Sequence, residues 1–177
     1  MLHRLPAPDE LFDDLCTLLS FRYRTFTGNG RNEQWTNLLK GYFRALAASL
    51  GMMVENSDLV ADDKCGHALE ALRIGDTDDA AIEVAWQWRE WNSSLVDELL
   101  RRRARLKVFL TDPARHRVTD RRREIAGLVG QALADGTNGD VLVVIASADD
   151  GRRSPYMCKA VKIVASSSVA HIPRGHQ

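Results

Sequence analysis

Between residues 35 and 50 the apolar side chains recur at Trp35, Leu38, Leu39, Tyr42, Phe43, Leu46 and Leu50. This spacing of three and four lines one face of an α-helix, and Gly51 follows where a helix stops. A shorter run of the same kind, Leu11, Phe12, Leu15, Leu18 and Leu19 behind the potential cap Asp9, predicts a helix over residues 9–20. Gly28-Asn29-Gly30 is turn chemistry between the two, and Asn32 can cap the second helix. After Ala80 the period falls to two: Ile82, Val84, Trp86 and Trp88 are large and apolar, whereas Glu83, Ala85, Gln87 and Arg89 between them are small or polar. Residues 80–91 are thus predicted as a strand. The turn-rich Gly75-Asp76-Thr77-Asp78-Asp79 joins it to a preceding strand over residues 67–74, and Met52-Met53-Val54 suggests a short one before that.

Asn92-Ser93-Ser94 can cap a third helix with Leu95, Val96, Leu99 and Leu100 as its buried face and Arg101 to Arg105 in its last turns, where cations favour the dipole. A strand over residues 106–111, a helix over 119–134 burying Ile125, Leu128, Val129, Ala132 and Leu133, a buried strand over 141–146 and an edge strand over 157–165 complete the order. Strands interleaved with helices predict an α/β fold, a mixed sheet flanked by helices. With no internal repeat and no second core, the chain reads as a single domain, 1–177. Its parts are an N-terminal helix and loop (1–31), a core (32–111), a C-terminal helix and strands (112–165) and a flexible tail (166–177).

Composition narrows the class. At 45% apolar and 27% charged residues in 177, the chain can bury a core, which excludes disorder over most of its length. Its longest apolar run, residues 141–146, is about a third of the roughly 18 residues that a membrane helix needs. Asp9 and Glu10 follow the N-terminus too soon for a secretory signal, so a cytoplasmic protein is expected. Cys16, Cys65 and Cys158 form no CxxC pair and read as reduced thiols in or near the core. Phosphate-binding glycine loops and the GxSxG elbow are missing from the sequence, and the histidines have no partner at a metal-ligand spacing. Net charge is zero, but residues 55–98 hold twelve acids against three bases and residues 101–123 ten bases against two acids. Such blocks are either solvated faces that neutralise one another in the fold or a cation site beside a phosphate-binding surface.

The order helix, strand, strand, strand, helix, strand over residues 32–111 places an acid in each of the second and third strands. It resembles the core of the PD-(D/E)XK nuclease superfamily, the restriction-endonuclease-like fold (αβββαβ). The segment Ile82-Glu83-Val84-Ala85-Trp86, leading through Leu99-Leu100-Arg101-Arg102-Arg103-Ala104-Arg105 into Leu106-Lys107-Val108, carries the likeness. The resemblance implies a nuclease in which Glu70 and Glu83 hold Mg²⁺ or Mn²⁺, with Glu33 as a third ligand from the long helix. Phosphodiester hydrolysis develops negative charge on the attacking and leaving oxygens, and divalent ions held by carboxylates stabilise it.

The family's lysine, two residues beyond the third-strand acid, is replaced here by Ala85. Gln87 lies on the same strand face and would approach the scissile phosphate, and Lys64 or Lys107 would have to bring an ammonium from elsewhere. The reading is thus a catalytic set of Glu70 and Glu83 from the resemblance, with Gln87 added from the strand face, and Arg101, Arg102, Arg103 and Arg105 of the basic block as phosphate contacts. The alternative is the same fold with catalysis lost, serving as a nucleic-acid-binding or protein-interaction module, a homodimer included. The residues also have plainer readings. Glu70 and Glu83 can be solvent-facing strand acids paired with Arg73 or Arg89, Glu33 a first-turn helix acid, and Trp86, Trp88 and Trp91 core or interface anchors.

Overall fold

The computed structural model describes residues 4–25, 31–57, 70–75, 80–88, 92–112, 117–148 and 158–165. The predicted tail, Lys64, Arg89 and Trp91 lie outside them. The elements follow the order α1 (Pro8–Thr25), α2 (Arg31–Leu50), β1 (Val54–Asn56), β2 (Glu70–Gly75), β3 (Ala80–Trp88), α3 (Ser93–Arg101), β4 (Ala104–Asp112), α4 (Val118–Ala134), β5 (Asp140–Ala148) and β6 (Cys158–Ala165). The six strands form one mixed sheet in chain order. The pairs β1–β2, β2–β3 and β5–β6 are antiparallel, and β3–β4 and β4–β5 are parallel, bridged by α3 and α4. Two successive one-step crossovers of the same hand put both helices on one face. Leu95, Val96, Leu99, Leu100, Ile125 and Val129 accordingly share a buried cluster with Ala85, Phe109, Val143 and Ile145. The opposite face carries α1 and α2, whose Leu11, Leu15, Trp35, Leu39 and Phe43 pack on Leu72, Ile82, Val84, Trp86, Val108 and Val144. The architecture is three layers, helices over sheet over helices. Among the described residues, no helix is long and apolar enough to cross a membrane.

Local chemistry sets the ends of the elements. Gly51, at φ +67°, closes α2: its N–H donates to the Ala48 carbonyl and that of Met52 to Ala47. This is the left-handed cap that only glycine adopts without strain. Gly136, at φ +83°, closes α4 in the same way through Leu133 and Ala132. Asn92 caps α3, its side-chain oxygen accepting from the Ser94 N–H at 3.0 Å. Helix α3 ends at Arg101, and Ala104 and Arg105 already belong to β4, so only the first of the five predicted basic-run positions is helical. Helix α1 runs to Thr25 instead of ending near residue 20. Trp86 is a core anchor, its indole N–H donating to the Thr36 hydroxyl of α2 at 3.2 Å. Tyr42 ties the two outer helices by donating to Asp14 at 2.9 Å; burial first, then the neighbouring carboxylate, hold its phenol well above the ordinary range.

Candidate functional site

Strand alternation sorts the polar positions of the sheet. In β2 the positions Ala71 and Arg73 stand opposite Ala85 and Glu83 of β3, on the face that carries α3 and α4. The other set, Glu70, Leu72 and Ile74, stands opposite Trp86, Val84 and Ile82, on the face that carries α1 and α2. Glu70 and Glu83 therefore occupy positions of opposite parity. Glu33 is exposed in the first turn of α2, on the far side of the sheet from Glu83. At these backbone positions the three acids do not share one face of the sheet, whereas a hard divalent ion needs several oxygens converging within about 2.0–2.6 Å of it.

What assembles instead is a row of alternating charge running straight across four strands. Glu55 of β1 is the register partner of Arg73 in β2, Arg73 of Glu83 in β3, and Glu83 of Lys107 in β4. Cross-strand partners of opposite sign attract at this spacing. Burial deepens along the row: Glu55 is exposed, Arg73 half-buried, Glu83 retains 3% of its surface and Lys107 none. Glu83 is thus not the solvent-facing acid of the plainer sequence reading, although Arg73, the partner that reading named, is its backbone register neighbour in β2. The Ser57 hydroxyl, just beyond β1, donates to the Glu83 carboxylate at 2.6 Å. The Lys107 ammonium donates to the backbone carbonyl of Asn138, in the turn before β5. Burial pushes the Lys107 ammonium below its ordinary value, and the charge of Glu83 partly restores it.

Gln87 lies on the same face, two residues beyond Ala85, and is buried at 6% exposure. Its side-chain oxygen accepts the Asn92 N–H at 3.1 Å, so the amide ties the end of β3 to the N-cap residue of α3. Ala85 is fully buried among Leu95, Leu99 and Phe109. A lysine there would have to thread through the helix–sheet contact to reach solvent. The arginines divide into two groups. Arg101, Arg103 and Arg105 are exposed and Arg102 half-exposed at the α3–β4 junction, with Arg101 and Arg102 paired to Asp97 and Glu98 one turn back at 2.5 and 2.8 Å. Arg117, Arg122 and Arg123 are exposed at the start of α4, but Arg121 is buried at 5% exposure one turn before Ile125, so that run is only partly solvated. The 17 residues of α4 span about 25 Å, which separates the two groups.

Sequence reasoning missed Ser57 and Asn138 and weighed Lys107 only as a distant substitute. The available signal was Lys107 itself, a single charge within the apolar run Leu106 to Leu110, since a lysine is almost never fully buried without a partner. That the partner is Glu83, 24 positions earlier, follows from parallel register, which the sequence does not print. The chain matches no family model and no curated protein.

Proposed function

We propose that this chain is a nucleic-acid-binding module built on a restriction-endonuclease-like scaffold in which metal-ion catalysis has been lost. The observation that carries the reading is the state of Glu83: it holds the third-strand position of the family's catalytic acid, yet is buried and engaged by Ser57 beside Lys107 and Arg73. An acid held this way is withdrawn from the solvent through which a hydrated metal ion would have to reach it. The order α2, β1, β2, β3, α3, β4, with β3 and β4 parallel, agrees with the αβββαβ core of that scaffold.

Binding is assigned to the α3–β4 junction, where Arg101, Arg102, Arg103 and Arg105 follow one another at the surface. The exposed ion pairs with Asp97 and Glu98 are worth about 0–1 kcal/mol and yield readily to phosphate oxygens. The test is fluorescence anisotropy with labelled single-stranded and duplex DNA and RNA at several salt concentrations. Binding that weakens steeply with salt, with a slope reduced by about 2–3 when Arg101, Arg102 and Arg103 are together replaced by Ala, supports the reading. Unchanged binding in that variant overturns the assignment to this junction.

A further inference from the structure

A cavity of about 320 Å³ opens at the same junction, between the last turn of α3, the last two turns of α4 and the turn that leads to β5. Its volume is at the lower end of small-molecule sites, too small for a duplex and suited to one nucleotide. Arg101, Arg102 and Arg103 from the α3–β4 junction line it together with Gln131, Asp135 and Thr137 from the end of α4 and the turn beyond it.

Two helices end here, and the negative ends of their dipoles should oppose an anion. The chain has removed most of that opposition by satisfying the terminal carbonyls internally. In α3, Leu99 accepts from the Arg102 N–H and Leu100 from the Thr137 hydroxyl. In α4, Gln131, Ala132 and Leu133 accept from the N–H groups of Asp135, Thr137 and Gly136. The carbonyl of Asn138 is likewise engaged, accepting from the Lys107 ammonium. Arg103, exposed at the rim, has no ion-pair partner among the described residues. The two lining acids already have contacts: Asp97 with Arg101, and Asp135 with the Gln131 amide at 2.9 Å. A carboxylate keeps further lone pairs after one such contact and accepts readily from a ribose hydroxyl. Guanidinium forks beside carboxylate acceptors suit a ligand that carries a phosphate at one end and hydroxyl donors a few ångströms away.

We infer that this cavity captures a phosphorylated ribose end, either a free ribonucleoside monophosphate or the 5′-phosphate terminus of an RNA strand, with Arg101 and Arg103 on the phosphate and Asp135 on the ribose 2′-hydroxyl, the hydroxyl that both share. The inference rests on the binding function proposed above and specifies its ligand. Titration calorimetry and anisotropy on the full chain should use adenosine monophosphate, adenosine, the 2′-deoxy monophosphate, and one RNA oligonucleotide with a 5′-phosphate or a 5′-hydroxyl. The phosphorylated member of each pair should bind at least about tenfold more tightly, the size expected from one charge-assisted contact. Arg103→Ala, on an exposed side chain, should remove that preference without changing the circular dichroism spectrum, and Asp135→Asn should narrow the ribose-to-deoxyribose difference. A monophosphate that binds as tightly as the phosphorylated strand identifies the free nucleotide as the ligand, and a strand at least tenfold tighter identifies the strand end. Equal binding of phosphorylated and unphosphorylated ends, with overall RNA binding retained, overturns this inference alone. Monophosphate binding without any nucleic-acid binding overturns the proposed function and leaves the cavity assignment standing. Loss of both overturns both.

Discussion

Removing either member of the buried pair Glu83–Lys107 should be costly, and unequally so. Glu83→Gln keeps the volume and the oxygen that accepts from Ser57 but deletes the charge. It leaves the Lys107 ammonium, with no solvent exposure, supported by the Asn138 carbonyl alone, because its other strand neighbour is Val141. An uncompensated buried charge of this kind costs about 3–5 kcal/mol. Lys107→Met keeps most of the stem volume and leaves Glu83 with Ser57 on one side and the half-buried Arg73 on the other, so its loss should fall nearer about 1–3 kcal/mol. The double variant removes both charges from the interior and should lie within about 1 kcal/mol of wild type, or above it. Urea denaturation followed by far-ultraviolet circular dichroism, on all four proteins at pH 7, reads the cycle. Additive losses, or a Lys107→Met variant less stable than Glu83→Gln, would refute the reasoning.

The same pair gives a pH signature. Because the folded chain holds the Lys107 ammonium below its ordinary value of 10.5, the unfolded chain binds the extra proton between the folded value and 10.5. Stability of the wild type relative to Lys107→Met should therefore rise with pH across that interval and be flat on either side; a fall there contradicts the assignment. Gly139→Ala should destabilise by more than about 2 kcal/mol, since Gly139 sits at φ +83° and a methyl group would press into the carbonyls of Ala104 and Arg105; a thermal melt within 2 °C of wild type counts against it. Trp86→Phe, which deletes the indole bond to Thr36 and part of a fully packed side chain, should cost about 1–3 kcal/mol in the same denaturation assay, and a variant as stable as wild type counts against the anchoring role.

Most of the fold is legible in the chain because its elements carry local signatures. The spacing from Trp35 to Leu50 closed by Gly51, the period-two run from Ile82 to Trp88 and the cap at Asn92 each survive in the structure. Ends without a local signal shifted, as where α3 gives way at Arg102 to an extended backbone that starts β4. The site was less legible for a geometric reason. Alternation within β3 is visible in the sequence, but which β2 residues share the face of Glu83 depends on pairing register, and a one-residue difference moves Glu70 to the other face. The parallel partnership of Glu83 with Lys107 likewise depends on how the β3–α3–β4 crossover closes. Gln87 looked available from the strand pattern, but it is buried with its amide taken by the Asn92 N–H, while Ala85 is covered by α3.

The account's central claim is nucleic-acid binding without metal-dependent hydrolysis, and one experiment addresses both halves: incubation of the purified chain with plasmid, single-stranded DNA and RNA in Mg²⁺ or Mn²⁺, with binding measured on the same samples. The account predicts salt-sensitive binding, intact substrates, and no difference between wild type and Glu83→Gln in the cleavage lane. Metal-dependent cleavage that disappears in Glu83→Gln, while a Lys107→Met variant of similar stability still cuts, would contradict it and return Glu83 to a catalytic role.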